Sequence, residues 1–116
     1  MKLVIDANVL FSSLIKESKT TELIINPFLS IYAPEFLLEE FYKHKSEILE
    51  KTKRSELEFE EIFNLIRQII NIIPDEEFMY YLNEADKISP DPNDSIYFAL
   101  ALKMNISIQF GVMIKS

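Results

Sequence analysis

The chain has 116 residues, with 12 basic and 19 acidic side chains and a formal net charge of −7. This length suits a single domain with a complete core. The negative charge argues against a protein that holds nucleic acid by bulk electrostatics. It does not exclude enzymes whose carboxylates are neutralised by bound metal ions.

The composition also limits the cellular setting. The chain contains no cysteine, which excludes disulfides and thiolate metal sites. No apolar run reaches the roughly 18 to 20 residues that a membrane span needs, and the N-terminus shows no signal-peptide pattern. The expectation is a cytoplasmic globular protein with no membrane contact.

Strands and helices alternate along the first half of the chain. The predicted elements are a strand at about 2–6, a helix at about 8–17, a short helix at about 20–26, a strand at 29–33 and a helix that Pro34 opens and that runs to about Lys51. Proline suits the first turn of a helix, where no backbone donor is needed. The helix from Pro34 has its apolar side chains at Phe36, Leu37, Phe41, Ile48 and Leu49.

The alternation continues to the C-terminus. Ser55 and Glu58 form a capping-box pattern for a helix, followed by a strand at about 69–73, a helix capped by Asp75, a turn at 89–94, a helix apolar on nearly every side, and a last strand from Ile106. This order predicts one α/β domain spanning residues 1–116, with a central parallel sheet covered on both faces by helices.

Acidic residues stand at three places where the apolar pattern does not require them. Asp6 ends the first strand, Glu39 and Glu40 interrupt an apolar helix face, and Asp91 and Asp94 flank the start of the apolar helix. The carboxyl edge of an open α/β sheet is where ligands bind. Hard ions such as Mg²⁺ or Mn²⁺ take several carboxylate ligands, so we expect Asp6, Glu40 and Asp94 to converge there.

Each acid also has a structural interpretation. Asp6 could cap the first helix, and Asp91 could cap the helix that Pro92 begins. The negative charges of Asp91 and Asp94 would also interact favourably with the positive end of that helix's dipole. One of the two glutamates is expected on a solvated edge, and we assign that place to Glu39. His44 is assigned to a solvated helix face without chemistry, and the basic residues around it to plain surface.

With these residues in view, the chain resembles the PIN-domain family of metal-dependent ribonucleases over essentially its whole length. The resemblance is carried by the segments 4–10 (VIDANVL), 34–41 ending in Glu40 and Phe41, 91–94 (DPND) and 98–102 (FALAL). It implies a three-layer α/β/α fold and an acidic cleft for Mg²⁺ or Mn²⁺. Carried over to this sequence, Asp6, Glu40 and Asp94 would be catalytic metal ligands, Asp91 a further metal-binding acid at the mouth of the site, and Asn8 a polar neighbour that binds the substrate.

The C-terminal segment departs from the family pattern. A PIN domain has a polar stretch with a fourth acid after its last strand and then a closing helix, whereas residues 110–116 read FGVMIKS. Codons for this segment, shifted by one base, can encode Ile-Trp-Ser-Asn-Asp-Lys-Lys, and Met113 followed by Ile114 requires the Asp. We therefore interpret 110–116 as a frame-shifted tail and expect the C-terminal elements to be incomplete.

The resemblance implies an endoribonuclease acting on RNA, and many small members are toxins paired with an antitoxin protein. Loss of the fourth acid would impair activity, and the lost cover of the last strand favours a homodimer. A non-catalytic PIN remnant that binds RNA or protein is the main alternative. A phospho-acceptor domain with Asp6 as nucleophile is a third, although the chain offers no identifiable partner acids and lysine for it.

Overall fold

The computed structural model describes residues 2–15, 26–105, 107–109 and 112–114. The elements are β1 (Lys2–Ile5), α1 (Ala7–Ile15), β2 (Ser30–Pro34), α2 (Phe36–Lys43), α3 (Lys45–Thr52), α4 (Glu56–Ile69), β3 (Asn71–Ile73), α5 (Leu82–Ile88), α6 (Ser95–Lys103), β4 (Ser107–Gln109) and β5 (Val112–Ile114). Short 3₁₀ turns lie at Asp75–Glu77, Met79–Tyr81 and Pro92–Asp94. The helix predicted at 20–26 falls, apart from Asn26, outside the described residues.

The described strands form one sheet in the order β3-β2-β1-β5-β4. β1 pairs with β2, and β2 with β3, in parallel. Leu3, Val4 and Ile5 are all buried, at 4%, 0% and 3% exposure. Because successive strand residues point to opposite faces, helices must cover both sides of the sheet, and the predicted α/β fold is confirmed.

The sheet is not parallel throughout. β5 pairs antiparallel with both β1 and β4, and it lies between them. Only two residues separate β4 from β5 in the sequence. A parallel return needs a connection of a dozen or more residues, so this short link allows only an antiparallel pair. The predicted central parallel sheet therefore consists of β1, β2 and β3, and β5 joins it antiparallel.

Two predicted boundaries are corrected around Pro34. Pro34 ends β2 instead of opening a helix, because it pairs in register with Ile73, and the next amide, that of Glu35, donates to the Ile73 carbonyl at 3.1 Å. The register with β1 already ends at Tyr32, so the missing proline N–H costs no ladder bond. The single helix predicted to Lys51 is two, α2 and α3, separated at His44.

Asp75 does not cap a helix as predicted. It is the first residue of a 3₁₀ turn, and its own amide donates to Glu35 Oε1 at 2.9 Å. Burial, and then the negative charges of Glu35 and Glu39, raise the pKa of the Asp75 carboxyl. The helix predicted to follow it starts only at Leu82, as α5.

The core predictions hold in most elements. The Ser55 cap and its reciprocal bond with Glu58 are both present at the start of α4. The apolar helix α6 packs on β1, β2 and α5, and its residues are buried at Ser95, Tyr97, Ala99, Leu100 and Ala101.

Candidate functional site

An acidic cavity of about 380 Å³ lies where α1, α2 and the start of α6 meet. It is lined by Asn8, Phe36, Glu39, Glu40, Lys43, His44, Asp91, Asn93 and Asp94. The chain thus brings four of the five predicted site residues, Asn8, Glu40, Asp91 and Asp94, to one cavity. We call it the acidic cavity.

Asp6 is the fifth predicted residue and does not line the acidic cavity. It follows β1 directly, is 9% exposed, and accepts a hydrogen bond at Oδ1 from the Val9 amide at 2.8 Å. The capping interpretation is therefore realised. A carboxylate accepts more than one bond, so capping does not exclude a second role. Burial, and then the charge of Asp94, raise the pKa of Asp6 against the lowering effect of the amides.

Glu40 is held in place from the core. Its Oε1 accepts a hydrogen bond from the Tyr97 hydroxyl at 2.9 Å, and Tyr97 itself is only 1% exposed. Burial raises the pKa of Glu40, as does the charge of Asp94, while the Tyr97 bond lowers it. The pKa of Tyr97 is raised by burial and by Glu40 and Asp6, so the phenol remains the donor of this bond.

Asp91 and Asp94 stand at the start of α6 with different roles. Asp91 is exposed, and its Oδ1 accepts from the Asn93 amide at 2.9 Å, which realises its capping interpretation. Asp94 is half-buried, and its pKa is raised by burial and then by the charge of Asp91. Asp94 is the acid whose charge acts on both Asp6 and Glu40.

Two cationic or polar groups at the acidic cavity were not assigned chemistry from the sequence. Lys43 and His44 line it, and their charges lower the pKa of Glu40. The His44 ring is half-buried, packs on Phe11 with centroids 5.2 Å apart, and has its Nδ1 3.4 Å from Glu47 Oε2. The sequence could have indicated both residues, because Lys43 and His44 follow Glu40 by three and four positions and so lie one helical turn from it. Tyr97 was missed because its spacing is that of a core residue.

The donor set suits a hard divalent cation. Asp6, Glu40 and Asp94 offer carboxylate oxygens, and each has a pKa raised by at least one carboxylate neighbour as well as by burial. A cation bound between them would relieve both costs. Within the described residues, no three His, Asp or Glu side chains are close enough together to hold one ion, and the ligand assignment stays a prediction.

Asp6 directly follows β1, and in open α/β sheets ligands bind outside the carboxyl ends of the strands. The family model described as PIN domain matches residues 4–109, and this chain belongs to the PIN-domain family. That family is nuclease-like and generally depends on divalent metal ions. Neither a curated protein nor a solved structure matches the chain significantly. None of the described helices is long and apolar enough to cross a membrane.

Proposed function

We propose that this chain is a Mg²⁺- or Mn²⁺-dependent endoribonuclease. The observation that supports it best is the acidic cavity, which Glu40 and Asp94 both line and where the charge of Asp94 acts on Glu40 and also on Asp6. Asp6, Glu40 and Asp94 are the proposed ligands. Asp91 is a further acid at the same cavity, and we propose that Asn8, whose exposed side chain lines it, contacts the substrate.

Two further residues, Tyr97 and Lys43, support this chemistry. When bound, the metal supplies an activated water and stabilises the leaving oxygen. Tyr97 fixes one oxygen of Glu40, which orients the other toward the acidic cavity or its ligand. Lys43 supplies positive charge beside these carboxylates, which attracts an RNA phosphate to a protein whose net charge would otherwise repel it.

The biological setting is proposed from the family alone. Small PIN domains that cut RNA commonly act as toxins held by an antitoxin protein, and we propose the same for this chain, with single-stranded RNA as substrate. The proposal includes a cytoplasmic location and a homodimer.

The C-terminal segment supports the alternative of a weakened or non-catalytic RNA- or protein-binding domain. The family match ends at Gln109, and β5 lies between β1 and β4 in the sheet. The segment after β4 therefore turns back along β1 instead of adding an acid to the site. We propose that residues 110–116 are a frame-shifted tail and that cleavage by this chain is weak.

The test is cleavage of a labelled single-stranded RNA with Mg²⁺, with Mn²⁺ and with EDTA. We expect weak cleavage that needs the metal, that Asp94→Asn abolishes and that Glu61→Gln, an exposed acid on α4, leaves unchanged. A chain ending in the shifted reading Ile-Trp-Ser-Asn-Asp-Lys-Lys after Gln109 should cleave faster. Equal activity in the original, restored and Asp94→Asn chains would assign the cleavage to a contaminant or to another site.

A further inference from the structure

A second cavity of about 300 Å³ adjoins the acidic cavity and differs from it in chemistry. The two share Phe36 and Asn93 as lining residues, so an extended ligand can occupy both. The remaining lining residues of the second cavity are Met79, Leu82, Asp86, Pro92, Ser95 and Ile96. We call it the apolar cavity, and its volume is at the lower end of the range for small-molecule sites.

Ser95 gives the apolar cavity an unused hydrogen-bonding group. The residue is 2% exposed, and its Oγ has no hydrogen-bond partner among the described residues. A buried hydroxyl without a partner destabilises the folded protein, and such groups are rare in native proteins. Ser95 lines the apolar cavity, but its Oγ is itself fully buried, so a ligand seated there would meet the hydroxyl only after the side chain turned toward it.

The walls are suited to a flat, partly polar ring. Phe36 offers an aromatic side chain, and Met79 a polarisable one that is 45% exposed. Asp86 lies on the exposed side of α5 and adds a carboxylate acceptor to the apolar lining. Proteins that recognise single-stranded RNA stack unpaired bases on aromatic side chains, of which Phe36 is the one here, and hydrogen-bond the base edges.

We propose that the apolar cavity binds one unstacked nucleobase of a single-stranded RNA whose neighbouring phosphate lies in the acidic cavity. The assignment of the phosphate rests on the proposed nuclease function, but the base site does not need cleavage. Asp86 is an acceptor, and guanine presents two adjacent donors, N1–H and its amino group, on one edge. The apolar cavity therefore selects guanine over uracil, which offers a single N–H on that edge.

The experiment titrates the ¹⁵N-labelled full chain with guanosine alone, without phosphate or divalent metal, and follows backbone amide shifts. We expect saturable shifts at residues 79, 82, 86 and 93–96, with uridine binding at least several-fold more weakly. Met79→Ala and Asp86→Asn should each weaken guanosine binding several-fold. Tyr80→Ala and Glu84→Gln are matched controls, because both residues are exposed neighbours that do not line the apolar cavity.

The outcomes separate this proposal from the nuclease. Saturable guanosine binding that Met79→Ala and Asp86→Asn weaken supports the base site even if the chain cleaves no RNA. Absence of saturable shifts up to the solubility limit, or equal binding by all four variants, overturns it even if the chain is an active nuclease. Equal binding of guanosine and uridine overturns the selection of guanine by Asp86.

Discussion

The Tyr97 hydroxyl donates a hydrogen bond to Glu40 Oε1 at 2.9 Å, across 57 positions of sequence. Tyr97 lies within the most apolar helix of the chain, and Glu40 lies on α2 at the acidic cavity. The bond therefore connects the buried face of α6 to an acid of the candidate site. Glu40 is half-buried and forms no ion pair with the other described residues, so the Tyr97 bond explains how its carboxylate is oriented.

Tyr97→Phe should lower both the stability of the chain and the order of the site. It removes a hydrogen bond to a carboxylate and leaves the ring in place, so we expect a loss of about 1–2 kcal/mol in the free energy of unfolding. The pKa of Glu40 should rise further. Urea unfolding measures the first effect, and Tyr80→Phe is the control because Tyr80 is 90% exposed. Equal stability of the two variants would show that the Tyr97 bond contributes nothing.

Asp94→Asn should stabilise the metal-free protein at pH 7. The pKa values of Asp6, Glu40 and Asp94 are all raised by burial and by neighbouring acids. For an acid whose pKa is higher in the folded state, folding is favoured most below the pKa of the unfolded state, which is about 4. This advantage is lost as the pH rises through the pKa of the folded state. The charged groups therefore oppose folding at pH 7. Melting temperatures in EDTA should show a gain for Asp94→Asn over wild type that shrinks toward pH 3, and none for Glu61→Gln.

Divalent metal should make the wild type more stable than Asp94→Asn. A ligand bound only to the folded state, at 100 times its dissociation constant, adds about 2.7 kcal/mol to stability. Mn²⁺ or Mg²⁺ should therefore raise the melting temperature of the wild type and have little effect on Asp94→Asn or Glu40→Gln. Thermal melts in the presence of each metal and of EDTA measure this. The same rise in all three proteins would place metal binding elsewhere.

Ser55→Ala should destabilise the chain without affecting the site. The Ser55 hydroxyl accepts from the Glu58 amide at 3.2 Å, and Glu58 Oε1 accepts from the Ser55 amide at 3.1 Å. Loss of such a cap costs about 1 kcal/mol. Ser46→Ala, at an exposed position inside α3, is the control and should be near neutral. A Ser55→Ala variant as stable as Ser46→Ala would mean that α4 does not depend on its cap.

Removing residues 110–116 should destabilise or aggregate the chain, because β5 pairs with both β1 and β4. Without it the backbone of β1 loses a ladder on one side, and unpaired strand edges find partners. Light scattering of the truncated chain at micromolar concentration would detect this association. The same measurement on the full chain tests the proposed dimer. A monomeric truncated chain as stable as the full one would show that the tail adds nothing to the sheet.

Local sequence patterns predicted the elements whose signals lie within a few residues. The Ser55–Glu58 box, the strand before Asp6 and the apolar helix after Asp94 all depend on neighbours at fixed spacing. The break at His44 could not be predicted in this way, since neither proline nor glycine is there. Nor could the position of Pro34, which is set by its pairing with Ile73, 39 positions away.

The sequence by itself determined the α/β class, the family and the acids to consider, because apolar periodicity and residue types are properties of the chain alone. Only the tertiary structure decided which acids share a cavity and that Asp6 is not among its lining residues. It also decided that Tyr97 holds Glu40 and that β5 turns back beside β1. These depend on contacts between distant segments, whose geometry is set by how the whole core packs.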